Sequence, residues 1–114
     1  MKVKNAIITS TTIDDGGRNM LTAWLHLDYG GSGQGFGGYV LYLPSDYANH
    51  GGPNFAGHFI FRCMQIAGVD SWDKIKGKSI RVYIEDGLIK GIGHIVKDDW
   101  FFPKNEFEQL NANQ

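Results

Sequence analysis

The chain has 114 residues, a length typical of one domain with one core, which excludes a multidomain enzyme within this sequence. Hydrophobic residues make up 42% and charged residues 20%, so the composition excludes a disordered or collagen-like chain. Because 11 Lys and Arg residues stand against 12 Asp and Glu residues, the net charge is -1, which disfavours a general polyanion binder.

The first part of the chain predicts three β-strands, at residues 3–13, 20–29 and 36–43. The second strand alternates most clearly, with apolar side chains at every second position on one face and Trp24 and His26 on the other. Glycine-rich residues 30–35 predict a loop. Strands two and three should therefore form a hairpin.

A helix is predicted over residues 54–67, because apolar residues recur there at helical spacing and form a wide stripe that includes Cys63. Gly68 is expected to end the helix in the left-handed conformation. Residues 71–76 predict one further helical turn, with Trp72 pointing inward and with Asp70 and Ser71 both capable N-caps.

The second half of the chain predicts a hairpin of two strands, at residues 79–85 and 88–96, joined by Asp86-Gly87. A two-residue loop fixes the expected register, with the pairs Glu85–Leu88, Ile84–Ile89, Val82–Gly91 and Ile80–Gly93. The two glycines on that face should let a helix or a large ring approach the sheet closely. The opposite face is expected to carry Arg81, Tyr83, Lys90, Ile92 and His94.

These elements predict a single α+β domain over residues 1–110, in which residues 100–103 pack back and residues 111–114 form a frayed tail. The expected architecture is a five-stranded antiparallel sheet or an OB-like, partly open barrel with one helix between strands three and four. This order of elements does not fix a function.

The segment Gly33–Gly38 matches the dinucleotide pattern G-x-G-x-x-G, but that motif requires its last glycine to open a helix. Here a strand follows, so the motif does not predict a dinucleotide site. Two interpretations stay open: a turn with positive φ angles, which is favoured, or a ligand loop that uses exposed backbone N–H groups and Gln34.

No catalytic, metal or cofactor site is predicted. The four histidines lack the spacing of metal ligands, and the single Cys63 excludes an internal disulfide and a cysteine-based zinc site. Cys63 lies on the apolar stripe and is expected in the core, and the paired aspartates lie in turns. A small hydrolase remains a third hypothesis, which would require perturbed carboxylates in a cleft.

Five segments of the sequence resemble a family of small, functionally unassigned proteins of tailed phages and prophages: LDYGG at residues 27–31, GQGFGGY at 33–39, WDKIKGK at 72–78, IGHI at 92–95 and DDWFFP at 98–103. The resemblance implies a location in the bacterial host cytoplasm during infection. It also implies an accessory role against host defence, through binding of a defence protein or sequestration of its signal. It supplies no functional residues.

The leading hypothesis is a non-enzymatic phage accessory protein, an inhibitor of bacterial defence of the anti-CRISPR or signal-sequestering kind, whose partner is a host defence protein or a small signalling nucleotide. The alternative is an OB-like module for single-stranded nucleic acid, which the net charge disfavours. A homodimer is expected because short β domains expose edges. The predicted binding surface consists of Trp24, His26, Gln34, Phe36 and Tyr39. If Trp24 is a core residue, attention moves to Arg81, Tyr83, Lys90 and His94.

Overall fold

The computed structural model describes residues 2–15, 21–39, 41 and 55–112, which form an open antiparallel sheet of six strands and two α-helices. The strands are β1 (Lys2–Asp14), β2 (Thr22–Asp28), β3 (Gly33–Gly37), β4 (Ser79–Glu85), β5 (Leu88–Gly93) and β6 (Trp100–Phe101). The helices are α1 (Phe55–Ala67) and α2 (Pro103–Ala112), and a short 3-10 turn spans Trp72–Lys74. The predicted α+β class is confirmed, whereas the predicted five strands and single helix are wrong.

The strands follow the order β3-β2-β1-β4-β5-β6, and one face of this sheet packs against α1. From α1, Phe59 and Cys63 are fully buried, and Leu25 of β2 and Ile80 of β4 face them from the sheet. Burying an apolar side chain of this size stabilises the fold by about 1.5–3 kcal/mol. The apolar alternation of β2 and the stripe of α1 therefore build the core that the sequence predicts.

The hairpin between β2 and β3 has a shorter loop than predicted. Gly30 and Gly31 have φ angles of +75° and +84°, which is typical of a two-residue type I′ turn. Strand β3 therefore begins at Gly33, and the prediction that residues 30–35 form a loop is wrong. Of the predicted third strand, residues 40 and 42–43 lie outside the described residues.

The hairpin between β4 and β5 turns at Asp86-Gly87 as predicted, with φ angles of 55° and 76° at these two residues. Ile84 lies opposite Ile89, which is the expected pair. Beyond that pair the register shifts by one residue, because Lys90 is an extra residue in β5.

This bulge overturns the rest of the predicted register. Val82 lies opposite Ile92 instead of Gly91, so Ile92 is fully buried in the core and does not lie on the opposite face. Gly91 and Gly93 instead lie on the face that points away from α1, opposite Tyr83 and Arg81. The face prediction for Ile92 is therefore wrong.

The helix predicted over residues 54–67 corresponds to α1, whereas the turn predicted over residues 71–76 is limited to Trp72–Lys74. Gly68 follows α1 with φ +73°, as expected of a left-handed cap, and Trp72 packs against the core. Ser71 makes no side-chain cap and donates its hydroxyl to the Asp73 carboxylate instead. The predicted tail at residues 111–114 overlaps the end of α2, and residues 113–114 lie outside the described residues, as does residue 54.

Candidate binding cleft

A cleft of about 760 Å³ is lined by residues of β4, β5, α1 and α2. Its described lining, called the aromatic cleft below, consists of Tyr39, Phe55, Tyr83, Glu85, Lys90, Phe102, Lys104, Asn105, Phe107 and Glu108. Small-molecule sites commonly have volumes of about 300–1,000 Å³ and combine apolar walls with a few polar groups. The aromatic cleft has both properties.

One aromatic wall of the cleft packs directly on the sheet, because β5 has a glycine where the Phe102 ring contacts it. A Cβ atom at Gly91 would lie 2.5 Å from Phe102 Cδ1, so only glycine lets the Phe102 ring lie against this strand. Tyr83 meets Phe102 edge to face, with ring centroids 5.4 Å apart and an interplanar angle of 76°. The close approach of a large ring that the sequence predicts occurs here, on the face opposite to the one expected.

The bulge in β5 supplies a charged residue to the same cleft. Lys90 is the unpaired residue of the bulge, between Ile89 and Gly91, and its side chain lines the aromatic cleft. Bulges redirect side chains and recur beside functional sites. The register shift that moved Ile92 into the core therefore also places a cation at the cleft.

A second aromatic wall comes from the two helices. Phe55 of α1 and Phe107 of α2 have ring centroids 4.7 Å apart, and Tyr39 meets Phe107 edge to face at 6.1 Å. Burial raises the pKa of Tyr39 above its ordinary value, so its hydroxyl keeps its proton at neutral pH. This wall thus presents rings together with one neutral hydroxyl.

Helix α2, which carries much of the lining, is fixed to α1 by Arg62. The Arg62 Nε donates to Glu106 Oε1 at 3.1 Å, and Nη2 donates to the Trp100 carbonyl oxygen at 2.7 Å and to Asp99 Oδ1 at 3.0 Å. His58 Nε2 lies 2.7 Å from the same Glu106 oxygen. Burial lowers the pKa of Arg62, but its hydrogen bonds to Asp99 and Glu106 and their charges outweigh burial and raise it. The helical wall of the cleft is therefore held in place before any ligand arrives.

The charged groups of the lining balance each other. Lys90 and Lys104 carry positive charge and Glu85 and Glu108 negative charge, and all four residues are exposed. Lysines pair with phosphate or carboxylate groups, whereas glutamates accept hydrogen bonds from N–H donors. The cleft is suited to a ligand that has rings, anionic groups and N–H donors together.

Of the five predicted surface residues, only Tyr39 lines the aromatic cleft. Phe36 is 1% exposed and stacks on Phe59 at a centroid distance of 5.9 Å, so its ring belongs to the core. The sequence places Phe36 next to the glycines but gives no sign of which face of β3 it occupies.

Trp24 and His26 lie together on the face of β2 that points away from the core, as predicted. The Trp24 indole lies across the backbone of β3: a Cβ atom at Gly35 would be 2.9 Å from its Cε3, and one at Gly38 would overlap the ring. His26 Nε2 lies 2.9 Å from Thr12 Oγ1. The glycine motif therefore serves a close approach of Trp24 to the backbone.

The side chain of Gln34 links β3 to the hairpin formed by β4 and β5. Its Nε2 donates to the Gly87 carbonyl oxygen at 3.0 Å and to Tyr29 Oη at 3.1 Å, and its Oε1 accepts from Ile89 N at 2.8 Å. The side-chain amide thus pairs with the edge of β5 as a peptide group of a neighbouring strand would. Its polar atoms are directed to the fold itself.

The alternative predicted surface, on the hairpin of β4 and β5, contributes two residues to the cleft. Tyr83 and Lys90 line it. Arg81 instead lies over the Trp100 ring at 4.8 Å and donates from Nε to the His94 carbonyl oxygen at 2.7 Å. Sequence reasoning thus found three of the ten described lining residues and missed the contribution of α2 altogether.

Cys63 is fully buried, and burial raises the pKa of its thiol far above the ordinary value, which makes it a poor nucleophile. Within residues 2–15, 21–39, 41 and 55–112, no group of three or more His, Cys, Asp or Glu side chains could hold a metal ion. In that same part of the chain, neither helix has the length and apolar character needed to cross a membrane.

Comparison of the chain with protein-family models, with curated proteins and with solved structures found no match.

Proposed function

We propose that this protein is a non-enzymatic phage accessory protein that inhibits a bacterial defence system by sequestering a small signalling nucleotide. The observation that supports this proposal is the aromatic cleft, which combines five rings with Lys90 and Lys104. Stacking of a base on an aromatic side chain contributes about 1–3 kcal/mol, and lysines pair with phosphate groups. The phage context rests on the sequence resemblance, which also implies a location in the host cytoplasm.

The same class of function includes binding of a host defence protein instead of its signal. The cleft favours the signal, because a concave site with charges of both signs suits a small polar ligand better than a protein surface. A protein partner would bury a standard interface of about 800 Å² on this chain and would have to contact surface well beyond the cleft lining.

A second candidate function is binding of single-stranded nucleic acid by an OB-like module. The strand order supports it, because β1 pairs with both β2 and β4 and Gln34 links β3 to β5, as in a partly open barrel. Trp24 also lies flat over glycines on the outer face of β2, where a base could stack on it.

Calorimetric titration of the full chain distinguishes the two functions. Adenine and guanine nucleotides and a single-stranded DNA oligomer serve as probes, with Lys104→Ala and Trp24→Leu as variants and the exposed Lys76→Ala as the control. Sequestration predicts nucleotide binding that Lys104→Ala weakens and Trp24→Leu preserves. Oligomer binding that falls steeply with salt and is lost in Trp24→Leu would favour the nucleic-acid module. Release of a hydrolysed nucleotide would contradict both and favour a hydrolase.

We also propose a homodimer. Strand β6 ends the sheet on one side, and such an edge attracts a further strand. Val3 and Ile7 of β1 add apolar side chains that are 54% and 49% exposed. Sedimentation equilibrium at tens of micromolar should show a dimer, and a monomer throughout that range would refute this proposal.

A further inference from the structure

The geometry points to a dinucleotide, with two bases and two phosphate groups, as the ligand of the aromatic cleft. This inference rests on the proposed function, which it makes specific. Each type of group that would recognise a nucleotide occurs at least twice in the described lining: ring pairs, lysines and glutamates. A mononucleotide would use half of these groups.

The rings form two pairs on separate elements. Tyr83 of β4 and Phe102 after β6 make one pair, with centroids 5.4 Å apart, and the two helices make the other, with Phe55 and Phe107 4.7 Å apart. Each pair offers an apolar surface for one base. Any base can stack on an aromatic ring. The two ring pairs therefore indicate two bases but do not select which bases they are.

The two lysines also stand on separate elements. Lys90 belongs to the bulge of β5, and Lys104 is the second residue of α2. A ligand with phosphates at two positions can pair with both. Since Glu85 and Glu108 cancel the two positive charges, a phosphate chain without bases gains little net attraction from the lining as a whole.

The glutamates indicate which bases fit. A carboxylate accepts hydrogen bonds from exocyclic amino groups and ring N–H groups, such as the N1–H and N2–H₂ groups of guanine and the N6–H₂ group of adenine. The ligand class is therefore a dinucleotide whose bases carry N–H donors, of which the purine dinucleotides are the probes used below; its bases would pair with Glu85 and Glu108 and its phosphates with Lys90 and Lys104. The volume of about 760 Å³ falls in the upper half of the usual range for small-molecule sites, as a ligand of this size needs.

The test is isothermal titration calorimetry of the full chain with cyclic di-GMP, cyclic di-AMP, GMP and AMP. One cyclic dinucleotide should bind at least about tenfold more tightly than the matching mononucleotide, since a second base stacks and a second phosphate pairs. Lys90→Ala and Lys104→Ala should each weaken dinucleotide binding about tenfold, whereas Lys76→Ala should leave it unchanged. Circular dichroism melting confirms that each variant is folded.

The other outcomes separate this inference from the proposed function. If a mononucleotide binds as tightly as the dinucleotide and Lys104→Ala weakens both, the function stands and the dinucleotide inference is refuted. If none of the four ligands binds, or if binding survives both lysine substitutions, the inference and the proposed site fail together.

Discussion

Gln34 is predicted to be a stabilising residue of the fold, and Gln34→Ala tests this. The substitution removes three hydrogen bonds, two donated by Nε2 and one accepted by Oε1. It also leaves the N–H group of Ile89, a residue only 7% exposed, without its side-chain partner. Each hydrogen bond contributes about 0.5–1.5 kcal/mol to stability, and an unsatisfied buried group costs about 1–3 kcal/mol.

Because one of the three bonds is to a partly exposed tyrosine hydroxyl, the expected loss for Gln34→Ala is about 2–4 kcal/mol in the free energy of unfolding. At about 4 °C per kcal/mol for a domain of this size, the melting temperature should fall by about 8–16 °C. Gln34→Glu should lie between wild type and Gln34→Ala, since a carboxylate accepts from Ile89 N but donates to neither oxygen.

Urea denaturation with circular dichroism measures these losses, and the exposed Gln109→Ala on α2 is the matched control. The control should stay within about 0.5 kcal/mol of wild type. If Gln34→Ala lowers the free energy of unfolding by no more than about 0.5 kcal/mol, the reasoning is refuted, because the amide would then be a surface group free for a ligand.

Three further predictions concern stability and reactivity. Trp24→Ala should cost about 2 kcal/mol in urea denaturation, roughly half the value for a core tryptophan, because the indole is partly exposed over Gly35; a cost near zero would contradict this packing. The Cys63 thiol should react with a thiol-specific chromogenic reagent at the rate of global unfolding, and fast reaction in native buffer would show that it is accessible. Arg62→Met should destabilise the fold by about 1.5–3 kcal/mol, because the Trp100 carbonyl oxygen loses its donor and Glu106 keeps only His58 as a partner; a double variant that also carries Glu106→Gln should recover part of that loss, and no recovery would argue against the ion pair.

Much of the fold follows from local sequence signals. The alternation of β2, the apolar stripe of α1, the cap at Gly68 and the turn at Asp86-Gly87 are all present as expected. Each of these depends on residues close in sequence, whose conformational preferences act within one element.

The errors arise where distant residues decide the structure. Strand β3 contains three glycines among its five residues, which predicts a loop, yet the Trp24 indole covers that backbone and the strand pairs with β2. The bulge at Lys90 has only a weak local signal in Gly91, because a glycine inside a strand can mark either a bulge or a close approach of a ring. A shift of one residue then turns Ile92 to the other face.

The candidate site was less predictable than the fold. Tyr39, Tyr83 and Lys90 belong to the predicted surfaces, but no sequence pattern described above predicts the helix that completes the cleft. Pro103 was a usable signal, because proline favours the first position of a helix and Phe107 follows at helical spacing. That α2 stands beside the cleft depends on Arg62, and no local pattern around Arg62 indicates its partners.

The central claim, that the aromatic cleft binds a small nucleotide, is tested most directly by NMR titration of the isotope-labelled chain with a cyclic dinucleotide. The account predicts that resonances of Tyr83, Lys90, Phe102 and Phe107 shift in a saturable way, while those of Trp24 remain unchanged. Shifts centred on Trp24 would contradict this claim. The absence of saturable shifts up to about 1 mM ligand would also contradict it, because a dissociation constant of that size corresponds to a binding free energy of only about 4.1 kcal/mol.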